Sequence, residues 1–163
     1  MEPETLEQQV DHAEQEARMV LPGIHALFGF QLIAVFNASF FERFAETDRR
    51  LHFLALICTA LSALLIMTPA AYHRQAEQGC VSHRFVRIAS CAICAAMLLL
   101  GVSVSTDIDI IGRHILGSDA LARAIAVLLF ATYIGAWFVF PQIAKRRGRG
   151  TIGASSEART SRA

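Results

Sequence analysis

His25 and the adjacent pair His73 and Arg74 are the first residues of this chain whose types and positions invite chemistry. Each stands at the margin of an apolar run, His25 in "RMVLPGIHALFGFQL" and His73 with Arg74 in "TPAAYHR". An imidazole changes charge near neutral pH, so a histidine among apolar residues can accept, hold or pass a proton. His25 lies about six residues into its run, or roughly 9 Å at the helical rise. An ionisable group at that depth is costly without a partner or a task, and His73 or Arg74 is its natural neighbour. The three form a candidate polar site. The plainer expectation is that Tyr72, His73 and Arg74 anchor a helix where it meets water. Pro69 precedes them and has no N–H to donate, so the Leu65 carbonyl loses its helical partner and a kink is expected there. Thr59, Ser62, Ile66, Pro69 and His73 recur at spacings of three and four, which puts them on one helical face aimed into the fold.

Other reactive groups carry weaker signals. Cys91 and Cys94 have the spacing of a redox dithiol, but they sit within an apolar run that would solvate a thiolate poorly. Ser90, Cys94 and Gly101, with the alanines between them, read instead as a small-residue surface for close helix packing. Cys58 joins that packing class, and Cys80 reads as a free thiol in a polar loop. The stretch "STDIDIIGRHILGSDA" gathers Asp107, Asp109, Arg113, His114 and Asp119. Carboxylates with a histidine can ligate a divalent metal, yet Asp109 and Arg113 are spaced to pair with each other and no second histidine is near. A solvated loop without metal is expected. His25, His73, His52 and His114 could supply axial haem ligands only if turned inward, and no cofactor is expected. With no phosphate-binding glycine loop and no nucleophile with its base, no enzyme is expected either.

The elements that must position these residues follow from composition. The chain has 163 residues, of which 54% are hydrophobic, and a mean hydropathy of +0.43. A chain this short has too much surface to hide so many apolar side chains from water, so lipid is the expected solvent. Four segments, over 19–41, 51–72, 85–105 and 121–140, each supply the about 20 mostly apolar residues that cross a hydrocarbon layer. Such segments are helices, because a backbone in lipid must satisfy its own hydrogen bonds. The expected fold is all-α: an integral membrane four-helix bundle over 19–141, a short acidic cytoplasmic helix over 1–18, and a basic, disordered tail over 142–163. Gln31 and Asn37 within the first span are expected to make separate interhelical hydrogen bonds.

Charge then orients the spans. Arg18, Arg74, Arg84, Arg87 and the cluster from Lys145 onward put ten Lys and Arg on one side, against five on the other. Cationic residues favour the cytoplasmic face, so both termini are expected in the cytoplasm. Lys145, Arg146 and Arg147 are expected to touch anionic lipid headgroups, at about 1 kcal/mol each. A net charge of +1 argues against a nucleic-acid binder that works by neutralising phosphates.

The start "RMVLPG" of the first span and the end "PAAYHR" of the second resemble an uncharacterised family of small bacterial membrane proteins, a domain of unknown function. The resemblance spans roughly residues 15 to 140. It implies a four-helix protein of the bacterial cytoplasmic membrane, with no established activity. Some relatives carry an antiporter label. His25 departs from the family pattern, which carries a polar uncharged residue there.

The function expected from these readings is a structural or accessory subunit that packs against lipid and against copies of itself or another membrane protein, without catalysis. The alternative is a small oligomeric transporter or channel with His25 and His73 at its cytoplasmic mouth. A proton-coupled antiporter is disfavoured, because the spans as drawn contain no Asp or Glu.

Overall fold

The computed structural model describes residues 6–76 and 82–145. Of the residues singled out above, Cys80, Arg146 and Arg147 lie outside them. The described residues form helices and short connections, with no strand among them. In chain order these are α1 (Leu6–Phe36), the short α2 (Ala38–Arg43), α3 (Glu46–Ala76), α4 (His83–Leu116) and α5 (Asp119–Ile134). A π-helical turn, Gly135–Val139, continues α5, and α-helix resumes to Lys145. Four stretches, Gln15–Phe36, Glu46–Gln75, Arg84–Leu116 and Asp119–Lys145, are long and apolar enough to cross a membrane.

Helix ends fall where capping chemistry dictates. Asn37 closes α1 and starts α2 by accepting from the Ser39 amide at 3.0 Å. Ser82 caps α4 through the Phe85 amide at 3.1 Å, and Ser118 caps α5 through the Leu121 amide. Between α4 and α5 the chain reverses at Gly117, whose φ of 62° is left-handed and suits glycine. Asn37 therefore serves a turn, whereas an interhelical bond was expected of it. Two helix lengths also differ from expectation. The first span and the acidic stretch before it are one helix, because Pro22 removes a single donor and α1 passes through. More consequentially, α4 runs well past residue 105, so Asp107, Asp109, Arg113 and His114 are helical and not in a loop.

Packing centres on α3 and α4. Asp48, His52, Ala55, Thr59, Ser62, Ile66 and Pro69 are buried along α3, at alternating steps of four and three. Phe85, Ala89, Ala92, Ala96, Ser103 and Ile110 form the matching stripe on α4. A seven-residue repeat of this kind seats side chains as knobs in holes, and the small residues let the backbones come close. The face of α3 expected to turn inward does so. On α4, Ala89, Ala92 and Ala96 do the packing, while Ser90 and Cys94 point outward on the neighbouring face. Gly101 is buried, 3.5 Å from Tyr133 at its Cβ position, where α5 crosses.

Helix α1 lays Ile24 against Ile66 and Ala96, forming an apolar plug. Helix α5 buries only a narrow stripe, Ala122 and Ala126. Outward faces are strongly apolar, with Phe30, Phe36, Leu64, Leu128 and Phe140 all more than 60% exposed. Such a surface exceeds what a water-soluble monomer tolerates and matches a lipid surround.

Candidate functional site at the His52 end of the bundle

Near the start of α3, side chains from three helices converge on one carboxylate. His52 Nδ1 lies 2.9 Å from Asp107 Oδ1, and His52 Nε2 lies 3.1 Å from the Gln31 carbonyl. Gln31 Nε2 donates to Asp107 Oδ2 at 2.7 Å and to Ser103 Oγ at 2.9 Å. Ser103 donates to the Ala55 carbonyl at 2.8 Å. The Thr59 and Ser103 hydroxyls lie 2.7 Å apart, where either can donate to the other, and Thr59 also lies 3.2 Å from the Ala55 carbonyl, to which it can donate. The network thus ties α1, α3 and α4 together with almost no water contact: Gln31 is 3% exposed and His52 8%.

Counting donors constrains where protons can sit. Both partners of His52 are acceptors when Asp107 is ionised, so satisfying both needs N–H on each ring nitrogen. If the ring instead carries a proton only on Nε2, Asp107 must supply the proton between Oδ1 and Nδ1. In either form, one exchangeable proton sits between an imidazole and a carboxylate. The pair is neutral overall, which is the form a low-dielectric interior favours.

Charged groups cap this network on the side of the helix ends. Arg113 Nη1 lies 2.8 Å from Asp48 Oδ1, and Nη2 lies 3.1 Å from Asp109 Oδ2. The expected pairing of Asp109 with Arg113 on one helical turn is present, and Asp48 of α3 joins it. His114 Nε2 reaches the Arg43 carbonyl at 3.3 Å while its ring lies against Phe44. Among the described residues, no group of three or more His, Cys, Asp or Glu is arranged to hold a metal ion.

Depth can be set by length. Helix α3 has 31 residues, or about 46 Å, against a hydrocarbon layer of about 30 Å. His52, six residues from its start, therefore sits about 9 Å in, close to one margin of the apolar layer. Beyond Thr59 the polar line continues only to Ser62, which donates to the carbonyls of Cys58 and Ala96 at 2.9 Å. The plug of Ile24, Ile66 and Ala96 then closes it.

The opposite end holds the residues singled out from sequence. His73 and Arg74 line a cavity of about 340 Å³ with Arg18, Leu21, Pro69 and Phe85. His73 is half-buried against the Phe85 ring at 5.4 Å, and its Nδ1 has no hydrogen-bond partner. Tyr72 stacks on the same ring at 6.2 Å. His25 is not among the residues lining that cavity. It faces outward from α1, with Nδ1 3.0 Å from the Leu21 carbonyl of its own helix. Lys145 is exposed at the end of the last helix.

The convergence of His52 and Asp107 was missed because two carboxylates in "STDIDI" end a hydropathy window at residue 105. A usable signal existed. The inward face containing Thr59, Ser62, Ile66, Pro69 and His73 extrapolates backwards through Ala55 to His52 and Asp48. Continuing "STDIDIIGRHIL" at helical spacing then sets acids along its buried side.

No curated protein and no solved structure matches the chain. The model of a family of unknown function, DUF6328, matches residues 2–141, and with that extent of agreement the chain belongs to this family.

Proposed function

We propose that the chain is a multi-pass protein of the bacterial cytoplasmic membrane, with both termini cytoplasmic, that works as a small oligomeric, proton-linked transport subunit without covalent catalysis. The observation behind this reading is the His52 and Asp107 pair, 2.9 Å apart between α3 and α4, two helices each long enough to span. A buried ionisable pair at the margin of an apolar layer is a functional candidate, and this pair holds a proton that either partner can carry. It replaces the alternative built on His25 and His73, and it removes the objection that no acid lies within a span. Exchange takes place at the nearer face, through the layer of Asp48, Arg113 and Asp109. The plug of Ile24, Ile66 and Ala96 separates the pair from the other face, so translocation requires α1 to shift at Ile24.

The test is proton flux in vesicles carrying the purified full chain and a pH-sensitive dye. Wild type gives flux under an imposed gradient, and Asp107→Asn abolishes it. Absence of flux in wild type, or equal flux in the variant, rejects the reading. Reporter fusions at both ends test the orientation, and appearance of the two ends on opposite sides overturns it.

A second reading, an accessory helix-packing subunit, is favoured by the same network, because it fixes the register of three helices by direct bonds. It predicts a stable partner or self-assembly in mild detergent, seen as a mass above the single chain, and an Asp107→Asn variant that loses assembly.

A further inference from the structure

A cavity of about 470 Å³ opens beside the His52 site, and proton exchange alone does not require it. Its walls are apolar, from Phe30 and Ala34 on α1 and Ile108 and Ile111 on α4, and its rim is aromatic, from Phe40 and Phe44. Phe30 is largely exposed and Ile111 about half, so the cavity opens sideways towards the lipid. Gln31, His52 and Asp107 also line it and supply the polar end. The volume falls within the range of small-molecule sites, which are mostly apolar with a few placed polar groups.

The state of those polar groups selects the occupant. Both carboxylate oxygens of Asp107 and both ring nitrogens of His52 are engaged. Gln31 Oε1 is buried without a hydrogen-bond partner, although Gln31 is only 3% exposed. Turning the amide over would aim an acceptor at the Asp107 carboxylate, so the unmet group is an acceptor. A buried unmet acceptor is unfavourable, and a donor that reaches it is rewarded. The ring of Phe40, 5.3 Å from both Phe44 and His52, offers a flat aromatic neighbour.

We propose that this cavity binds a lipid-soluble phenol or hydroquinone from the membrane. The ring lies among the phenylalanines, the alkyl chain extends past Phe30 and Ile111, and the hydroxyl donates to Gln31 Oε1. The proposal stands apart from proton transport, since it concerns occupancy and not flux.

The experiment is calorimetric titration of the full chain in nanodiscs of saturated phospholipid. The probes are decylhydroquinone, kept reduced under argon, and its dimethyl ether, which has the same shape and no donor. The expected result is saturable hydroquinone binding, with the ether at least tenfold weaker. Gln31→Met reduces that difference to less than twofold. Ala34→Trp, which fills the cavity and leaves the polar network untouched, abolishes binding of both, and it decides the matter should Gln31→Met fail to fold. Equal affinity for the two probes, no saturable binding, or undiminished binding by Ala34→Trp overturns the proposal.

Discussion

The two ends of α3 present a histidine to the interior in opposite ways. His52 is enclosed by acceptors from α1 and α4, its proton is shared with Asp107, and a charged layer lies beyond it. His73 lies on the ring of Phe85 beside two arginines, and its Nδ1 has no partner. Enclosure by acceptors makes a site whose occupancy by a proton is built into its hydrogen bonds. A ring resting on an aromatic face beside cations makes an anchor at a boundary. The same residue type on the same helical face acquires different chemistry from what its neighbours can accept.

Mutations can break this contrast, starting from the largest effect. Asp107→Ala strips His52 and Gln31 of their shared acceptor and leaves two buried polar groups unmatched, so a loss of about 3–5 kcal/mol is expected in detergent unfolding. His73→Ala removes only ring contact and should cost about 1 kcal/mol or less; a loss as large as that of Asp107→Ala erases the distinction between the ends. Ser103→Ala deletes the hydroxyl on which Gln31 and Thr59 both converge, with an expected cost of about 1–2 kcal/mol. Combining it with Thr59→Val should cost less than the two single losses added together, and strict additivity shows that the hydroxyls do not act as one unit. Gly117→Ala forces a side chain into left-handed backbone at the α4 to α5 turn, for about 1 kcal/mol, measured the same way. His25→Leu should change stability by less than about 0.5 kcal/mol, because the ring faces outward and bonds only its own helix. A larger loss shows that His25 has a role in the interior.

The fold was legible from hydropathy alone, because lipid demands long apolar helices and leaves few alternatives. The inward face of α3 was equally legible from Thr59, Ser62, Ile66, Pro69 and His73. The site was not, and the reason is physical. Hydropathy treats Asp107 as an expense, whereas in the folded chain His52 and Gln31 offset that expense from helices far away in sequence. His25 misled for the converse reason: depth along a helix does not say which way a side chain turns. The small-residue pattern on α4 was real at Ala92, Ala96 and Gly101, which are buried, while Ser90 and Cys94 turn outward and Ala89 packs in their stead.

The regular steps of four and three along α3 gear its ends together. One residue added between Ser62 and Ile66 would turn everything downstream by about 100°, swinging His73 away from Phe85 while His52 stayed in place. Length changes in this helix are therefore tolerable only in whole sevens, or outside the stretch from Asp48 to His73, so homologous chains should vary in their connecting turns and keep this interval constant.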